Sequence, residues 1–140
     1  MPAVFEQLGI RFEYPESWQL DEEEARAGGD TITVYSPGGA FWSLNIQPPL
    51  SPPDELAGAA VEAMRSEYED LEVVPARDSV EGVELTGYDM NFYCLDLTNS
   101  ASVRACEHGD ATYVILWQAE DREFDQISPV FAAITASLMR

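Results

Sequence analysis

The sequence contains no lysine, only one histidine and two cysteines, and no long hydrophobic run. The chain has seven cationic residues, all of them arginines, and 26 carboxylates, so the formal net charge is -19. Nucleic acids and anionic membrane surfaces are bound by clusters of basic side chains, which this composition does not supply. We therefore expect no nucleic acid and no membrane as partner, and we expect a protein partner to present a basic surface.

The start of the chain also lacks the features of a targeting segment. Residues 1–7 have no basic stretch followed by an apolar one, as a secretion signal would. No apolar run approaches the roughly 20 residues that a membrane-spanning helix needs. These absences predict a cytoplasmic protein. The 140 residues suffice for one hydrophobic core, and no linker or repeat divides them, so we expect a single domain over residues 1–140.

The common catalytic and cofactor-binding motifs are missing as well. The sequence has no zinc-binding spacing of cysteine and histidine, no phosphate-binding glycine loop and no nucleophile motif. Its one histidine, His108, follows Glu107 and precedes Gly109 and Asp110, a composition typical of a turn. We expect no cofactor, no metal and no enzymatic activity.

The spacing of apolar residues and turn residues predicts mainly strands. These are expected at residues 9–14, 18–20, 31–36, 40–47, 72–80, 83–97, 102–107 and 111–119. A helix is predicted in the middle of the chain, with Ser51 as its N-cap and Pro52 in its first turn. A second helix is predicted near the C-terminus, and Pro129 either starts it or kinks it.

Two of the predicted strands are apolar on both faces. In the last strand Tyr113, Ile115 and Trp117 alternate with Val114 and Leu116, and a strand buried on both faces needs cover on both sides. We therefore expect an α+β fold, specifically a three-layer α/β/α sandwich with a central, mostly antiparallel sheet and an amphipathic helix on each face.

The two cysteines are symmetric about a segment rich in turn residues. Cys94 and Cys106 are equally distant from Ser100, so a hairpin centred there would place them opposite one another. We predict that they face each other as reduced thiols. The alternative, a disulfide across the hairpin, would indicate an oxidising compartment.

The order of these features is distinctive. A Gly-Ile-x-Phe-x-Tyr-Pro-x-x-Trp start at residues 9–18 and a Pro-Gly-Gly-Ala hairpin at 37–40 precede an amphipathic helix, a meander and a C-terminal Phe-x-x-Ile-x-x-Ser-Leu helix at 131–138. This order resembles the PsbP-like superfamily, which includes the photosystem II protein PsbP, the Ran-binding factor Mog and bacterial DcrB-type relatives. The resemblance implies the fold but no particular activity, because members of one fold perform unrelated tasks.

Two places stand out as candidate binding surfaces. The first is the acidic run Glu22, Glu23 and Glu24, which lacks the alternation of a calcium loop and is expected to be solvated and to attract a basic partner. The second is Phe41, which alternation places on the face opposite Trp42. Either the C-terminal helix covers Phe41, or Phe41 belongs to an exposed interface patch.

Polar residues also interrupt an otherwise apolar strand at Asp89 and Asn91. They mark an edge or bulge of the sheet, or they form part of an acid-base site. The sequence thus leaves two hypotheses. The first is a non-catalytic protein that binds a protein partner through its sheet face and acidic rim. The second is a small-molecule or hydrolytic site in a groove between sheet and helix, with Asp89, Asn91 and Tyr93 as polar anchors.

Overall fold

The computed structural model describes residues 2–22 and 30–140. The elements are β1 (Ala3–Gln7), β2 (Ile10–Tyr14), β3 (Gln19–Leu20), β4 (Thr31–Tyr35), β5 (Phe41–Gln47), α1 (Pro53–Glu67), β6 (Glu72–Val80), β7 (Val83–Cys94), β8 (Leu97–His108), β9 (Ala111–Glu120) and α2 (Asp121–Met139). Within these ranges neither helix is both long and apolar enough to cross a membrane.

Seven of the strands form one antiparallel sheet in the order β3-β4-β5-β9-β8-β7-β6. Strands β1 and β2 form a separate two-stranded sheet. The predicted α+β class with a mostly antiparallel sheet is therefore confirmed. The meander over residues 72–119 was predicted because glycine marks two of its turns, at Gly82 and Gly109, both with positive φ.

The buried side chains form two clusters. The larger cluster contains Trp42 and Ile115 of the sheet with Phe131 of α2, and the smaller contains Phe92 of the sheet with Val61 of α1. Alternate residues of β9 belong to different clusters: Tyr113 and Ile115 to the first, Val114 and Leu116 to the second. Because successive side chains of a strand point to opposite faces, β9 is packed on both.

The N-terminal hairpin packs beside α2 on the larger cluster. Phe12 of β2 is fully buried, with its ring centroid 4.9 Å from that of Trp42. The backbone N–H of Glu13 donates to Ser137 Oγ of α2 at 2.8 Å. Strand β2 was predicted, but its partner β1 was not, although Leu8 and Gly9 have the positive φ values of a tight turn.

The helix boundaries differ from the sequence prediction in two places. Pro52 and not Ser51 is the N-cap of α1, with an extended backbone at φ -61° and ψ 146°. The residue before a proline is disfavoured in helical conformation, so Pro53 forces the start of the helix past Pro52. Helix α2 begins at Asp121, which places Pro129 inside it.

The predicted run from Val83 to Leu97 is in fact two strands. The chain reverses at Leu95 and Asp96, with φ values of 53° and 63°, so that Cys94 pairs with Leu97. The expected hairpin centred on Ser100 is therefore wrong. The turn was missed because it contains no glycine or asparagine, the residues that normally adopt positive φ.

The two cysteines consequently do not face one another. Cys94 ends β7, whereas Cys106 lies opposite Tyr113 of β9. Cys106 lies nine residue steps along β8 from Leu97, the partner of Cys94, which is a span of about 30 Å. A disulfide requires Cα atoms within about 7 Å, so the geometry excludes a bridge within one chain, and both thiols are free.

Candidate functional site

A groove of about 460 Å³ opens between helix α2 and the part of the sheet formed by β6, β7 and β8. Apolar side chains of α2, including Phe124 and Phe131, form one wall. The sheet contributes polar side chains, namely Asp78, Asp89, Asn91, Ser100, Ser102 and Arg104. The groove is thus apolar on its helix side and polar on its sheet side.

Arg104 is the centre of the polar side. Its side chain is only 6% exposed, and its Nε donates to Asp78 Oδ2 at 2.6 Å while Nη2 donates to Asp89 Oδ1 at 2.8 Å. Nη1 donates to the backbone carbonyls of Tyr88 and Val103, each at 3.0 Å. A buried charge costs several kcal/mol unless it is paired and hydrogen-bonded, and these contacts meet that requirement.

Gly87 makes the position of Arg104 possible. Gly87 of β7 pairs with Arg104 of β8, and a Cβ at residue 87 would collide with the carbonyl oxygen of Val103. That oxygen accepts one of the hydrogen bonds from Arg104. A side chain at residue 87 would therefore separate the two strands where the guanidinium is anchored.

A second set of hydrogen bonds joins the sheet to the start of α2. Asn91 Nδ2 donates to Ser100 Oγ at 2.8 Å, and Ser100 Oγ donates to Asp121 Oδ1 at 2.8 Å. Ser102 Oγ donates to Asp89 Oδ1 at 2.8 Å. Asp121 lies in the first turn of α2, where the helix dipole favours a carboxylate.

These contacts determine which ligands the groove suits. Asp78 uses Oδ2, and Asp89 and Asp121 use Oδ1, in the bonds above, while Asp78 and Asp89 are 45% and 52% exposed at their side chains. Carboxylate oxygens directed at a groove accept hydrogen bonds from ammonium or guanidinium groups. The groove is therefore suited to a cationic group.

The same contacts disfavour nucleophilic chemistry. A serine nucleophile needs a base that takes its proton, usually histidine, but Ser100 and Ser102 donate to carboxylates. His108 pairs with Ala111 at the far end of β8, six residues or about 20 Å beyond Ser102. In the part of the chain that the structure describes, no three His, Cys, Asp or Glu side chains converge as a metal site would require.

Beyond the groove, the turn between β7 and β8 exposes three apolar side chains. Tyr93 is 65% exposed, Leu95 92% and Leu97 44%. We call residues 93–97 the hairpin tip. On the α1 side, the ring of Tyr68 packs against that of Phe92 with centroids 4.2 Å apart and the ring planes tilted by 31°. Burial together with the nearby Cys94 raises the pKa of Tyr68.

The cysteine in the larger cluster is unreactive by environment. Burial raises the pKa of the Cys106 thiol to about 11, so the nucleophilic thiolate is scarce at neutral pH. Burial, together with Cys106, also raises the pKa of Tyr113.

The residues selected from the sequence are distributed over three places. Asp89 and Asn91 both line the groove, and Tyr93 lies on the same face at the hairpin tip. Phe41 is half-buried at the start of β5, with its ring centroid 6.1 Å from that of Tyr35. Glu22 is exposed between β3 and β4, and Glu23 and Glu24 lie outside the described residues.

The interpretation of Asp89 and Asn91 as an edge or bulge is wrong. Strand β7 lies between β6 and β8, and these residues are polar because they face Arg104 and Ser100. Sequence reasoning missed Arg104 itself. The available signal was an arginine between Val103 and Ala105 in a strand of small and apolar residues, where a cation requires carboxylate partners.

No protein-family model and no curated protein matches the sequence. Solved structures do match, among them PA94, a protein of unknown function from Pseudomonas aeruginosa (10% identity, 99% of this chain and 96% of that one, TM-score 0.60). Cyanobacterial PsbP from Synechocystis sp. PCC 6803 matches with 13% identity over 97% and 90% of the two chains and a TM-score of 0.62. The Ran-binding protein Mog1p from Saccharomyces cerevisiae matches with 14% identity over 97% and 88% and a TM-score of 0.60.

At these identities the similarity establishes the fold alone. The chain has the fold shared by PsbP and Mog1p, as the resemblance of its sequence implied.

Proposed function

We propose that the protein is a non-catalytic binding module that recognises a basic protein partner, with the groove between α2 and the sheet as the central contact. The carboxylates of Asp78, Asp89 and Asp121 would accept a lysine or arginine side chain of the partner. The acidic run at Glu22, Glu23 and Glu24 would add long-range attraction.

The observation that carries this proposal is the pairing of Arg104. Two carboxylates already neutralise the one cation in the groove, and Asp121 adds a further carboxylate at its rim. The groove therefore carries a net negative charge and has carboxylate oxygens that can accept further hydrogen bonds. The net charge of the whole protein has the same sign.

Two further features are part of the proposal. We propose a single domain over residues 1–140 with the helices on opposite faces of the sheet, which the division of β9 between two clusters supports. A binding role also agrees with the yeast neighbour, which is a Ran-binding protein. The cytoplasmic location and the role of Phe41 stay predictions.

The test uses a short peptide that alternates lysine with serine, titrated into the protein. Asp121→Asn removes a charge from the groove but keeps the acceptor for Ser100, and should weaken binding about threefold, as for an exposed ion pair. Glu62→Gln is the matched control, because Glu62 is exposed on α1 and makes only a 3.6 Å contact with Arg65. Equal weakening in both variants, or no binding of the peptide at all, would contradict the proposal.

A second candidate is a small-molecule binder that uses the same groove. Its volume of about 460 Å³ lies within the usual range of ligand pockets, and convergent polar groups line one side. In this case arginine or putrescine as free compounds should raise the thermal midpoint of the wild type. A shift with the free amines but none with the peptide would favour this candidate.

A further inference from the structure

The hairpin tip is apolar where a hairpin turn is normally polar. Leu95 is 92% exposed and its neighbours Tyr93 and Leu97 are 65% and 44% exposed. The turn that carries Leu95 lies at the end of the two longest strands. Tyr93 and Leu97 flank it on opposite faces of the hairpin, because Leu97 is opposite Cys94 and successive side chains of a strand alternate. Single exposed apolar residues need no explanation, but three large ones within five residues of one projecting turn are unusual, and exposed apolar surface of this kind often marks an interaction site.

The backbone of this turn is also unfavourable for its sequence. Leu95 and Asp96 both have positive φ, which the two-residue hairpin turn demands and which asparagine and glycine satisfy best. The other described turns with positive φ, at 8–9, 39, 81–82 and 109, each contain a glycine there. Leucine is therefore an unfavourable residue at position 95 for both the backbone conformation and the exposure, and such strained positions cluster at functional sites.

Carboxylates lie in the turn itself and beside the base of the tip on the groove face. Asp96 is exposed within the turn, Glu72 begins β6 opposite Asn91, and Asp121 bonds to Ser100. The nearby Arg122 is paired with Glu120 at 3.1 Å. An apolar projection with carboxylates beside it fits an apolar surface that is flanked by basic groups.

We propose that the hairpin tip packs against an apolar surface flanked by basic groups on the partner protein, with Leu95 as the anchor. This inference rests on the proposed function and adds a second contact to it, next to the groove. A second copy of this chain is disfavoured as the occupant, because it would bring two sets of carboxylates together.

The test compares two peptides of equal length and charge, one alternating lysine with leucine and the other alternating lysine with serine. Burial of a leucine side chain supplies about tenfold in affinity, so the wild type should bind the leucine peptide about tenfold more tightly. Leu95→Asn should abolish most of this advantage and leave the affinity for the serine peptide unchanged. Asparagine tolerates positive φ, so the variant should fold with an equal or higher thermal midpoint.

Leu50→Asn is the matched control, because Leu50 is 86% exposed outside the tip and its replacement should preserve the advantage. The proposal is overturned if Leu95→Asn keeps the preference for the leucine peptide, or if Leu50→Asn loses it equally. It is also overturned if sedimentation shows a wild-type dimer that Leu95→Asn dissolves. In these cases the proposed role of the groove is still supported, provided that Asp121→Asn weakens the binding of both peptides. Failure of both peptides to bind would overturn the groove and the tip together.

Discussion

At the scale of single residues, Arg104 and Gly87 depend on each other. The guanidinium can reach two backbone carbonyls and two carboxylates because the strands approach closely where residue 87 has no side chain. The position of Arg104, the most buried charged side chain of the groove, thus depends on the absence of a side chain at Gly87. This dependence arises from the tertiary structure, and it predicts that adding a side chain at residue 87 destabilises the protein strongly.

Gly87→Ala should lower the free energy of unfolding by about 3 kcal/mol or more, because overpacking and weakened hydrogen bonds to a charged group add together. Gly58→Ala provides the control. Gly58 lies inside α1, and a Cβ added there would meet open space, so alanine should stabilise the helix by about 0.5 to 1 kcal/mol. Urea denaturation of the two variants should therefore give opposite signs, and a stable Gly87→Ala variant would mean that the strands can separate at no cost.

At the scale of elements, the sequence was informative wherever local chemistry decides the outcome. Strand β6 was predicted at its observed bounds, since the turn at Glu81 and Gly82 that ends it is a local signal. The turn at Leu95 and Asp96 was missed because its residues contradict local preference. The groove was offered as one of two hypotheses on the strength of Asp89 and Asn91, but Arg104 was missed because its partners are 15 and 26 residues away, and such contacts depend on strand register rather than on composition.

The packing of α2 on the larger cluster gives a prediction at this scale. Phe131 is 1% exposed, and its ring lies 5.8 Å from Trp18 and 5.9 Å from Phe124 between centroids. Phe131→Ala should therefore cost about 3 to 5 kcal/mol of unfolding free energy. Gln126→Ala changes an exposed residue of the same helix and should have little effect. An unchanged urea midpoint for Phe131→Ala would mean that α2 is not part of the cooperative core.

At the scale of the whole molecule, the dominant feature is the net charge of -19. The surface arginines whose ion pairs the structure describes do not form a basic patch. Arg11, Arg65, Arg122 and Arg140 each lie 3.1–3.6 Å from a carboxylate. Their positive charges are locally compensated, so the remaining carboxylates set the long-range field. Such a field affects the rate of encounter more than the strength of the final contact.

The acidic run should therefore control association kinetics. Replacing Glu22, Glu23 and Glu24 by lysine should slow binding of the lysine-serine peptide and weaken its salt dependence, because screening limits the field to about 8 Å at physiological ionic strength. The control replaces Glu62, Glu84 and Glu107, which are exposed elsewhere, and alters the net charge by the same amount. Stopped-flow association rates over a salt series distinguish an effect of net charge alone from an effect of the charges at residues 22–24. Equal slowing would show that only net charge matters, whereas selective slowing would place the approach of a basic partner at residues 22–24.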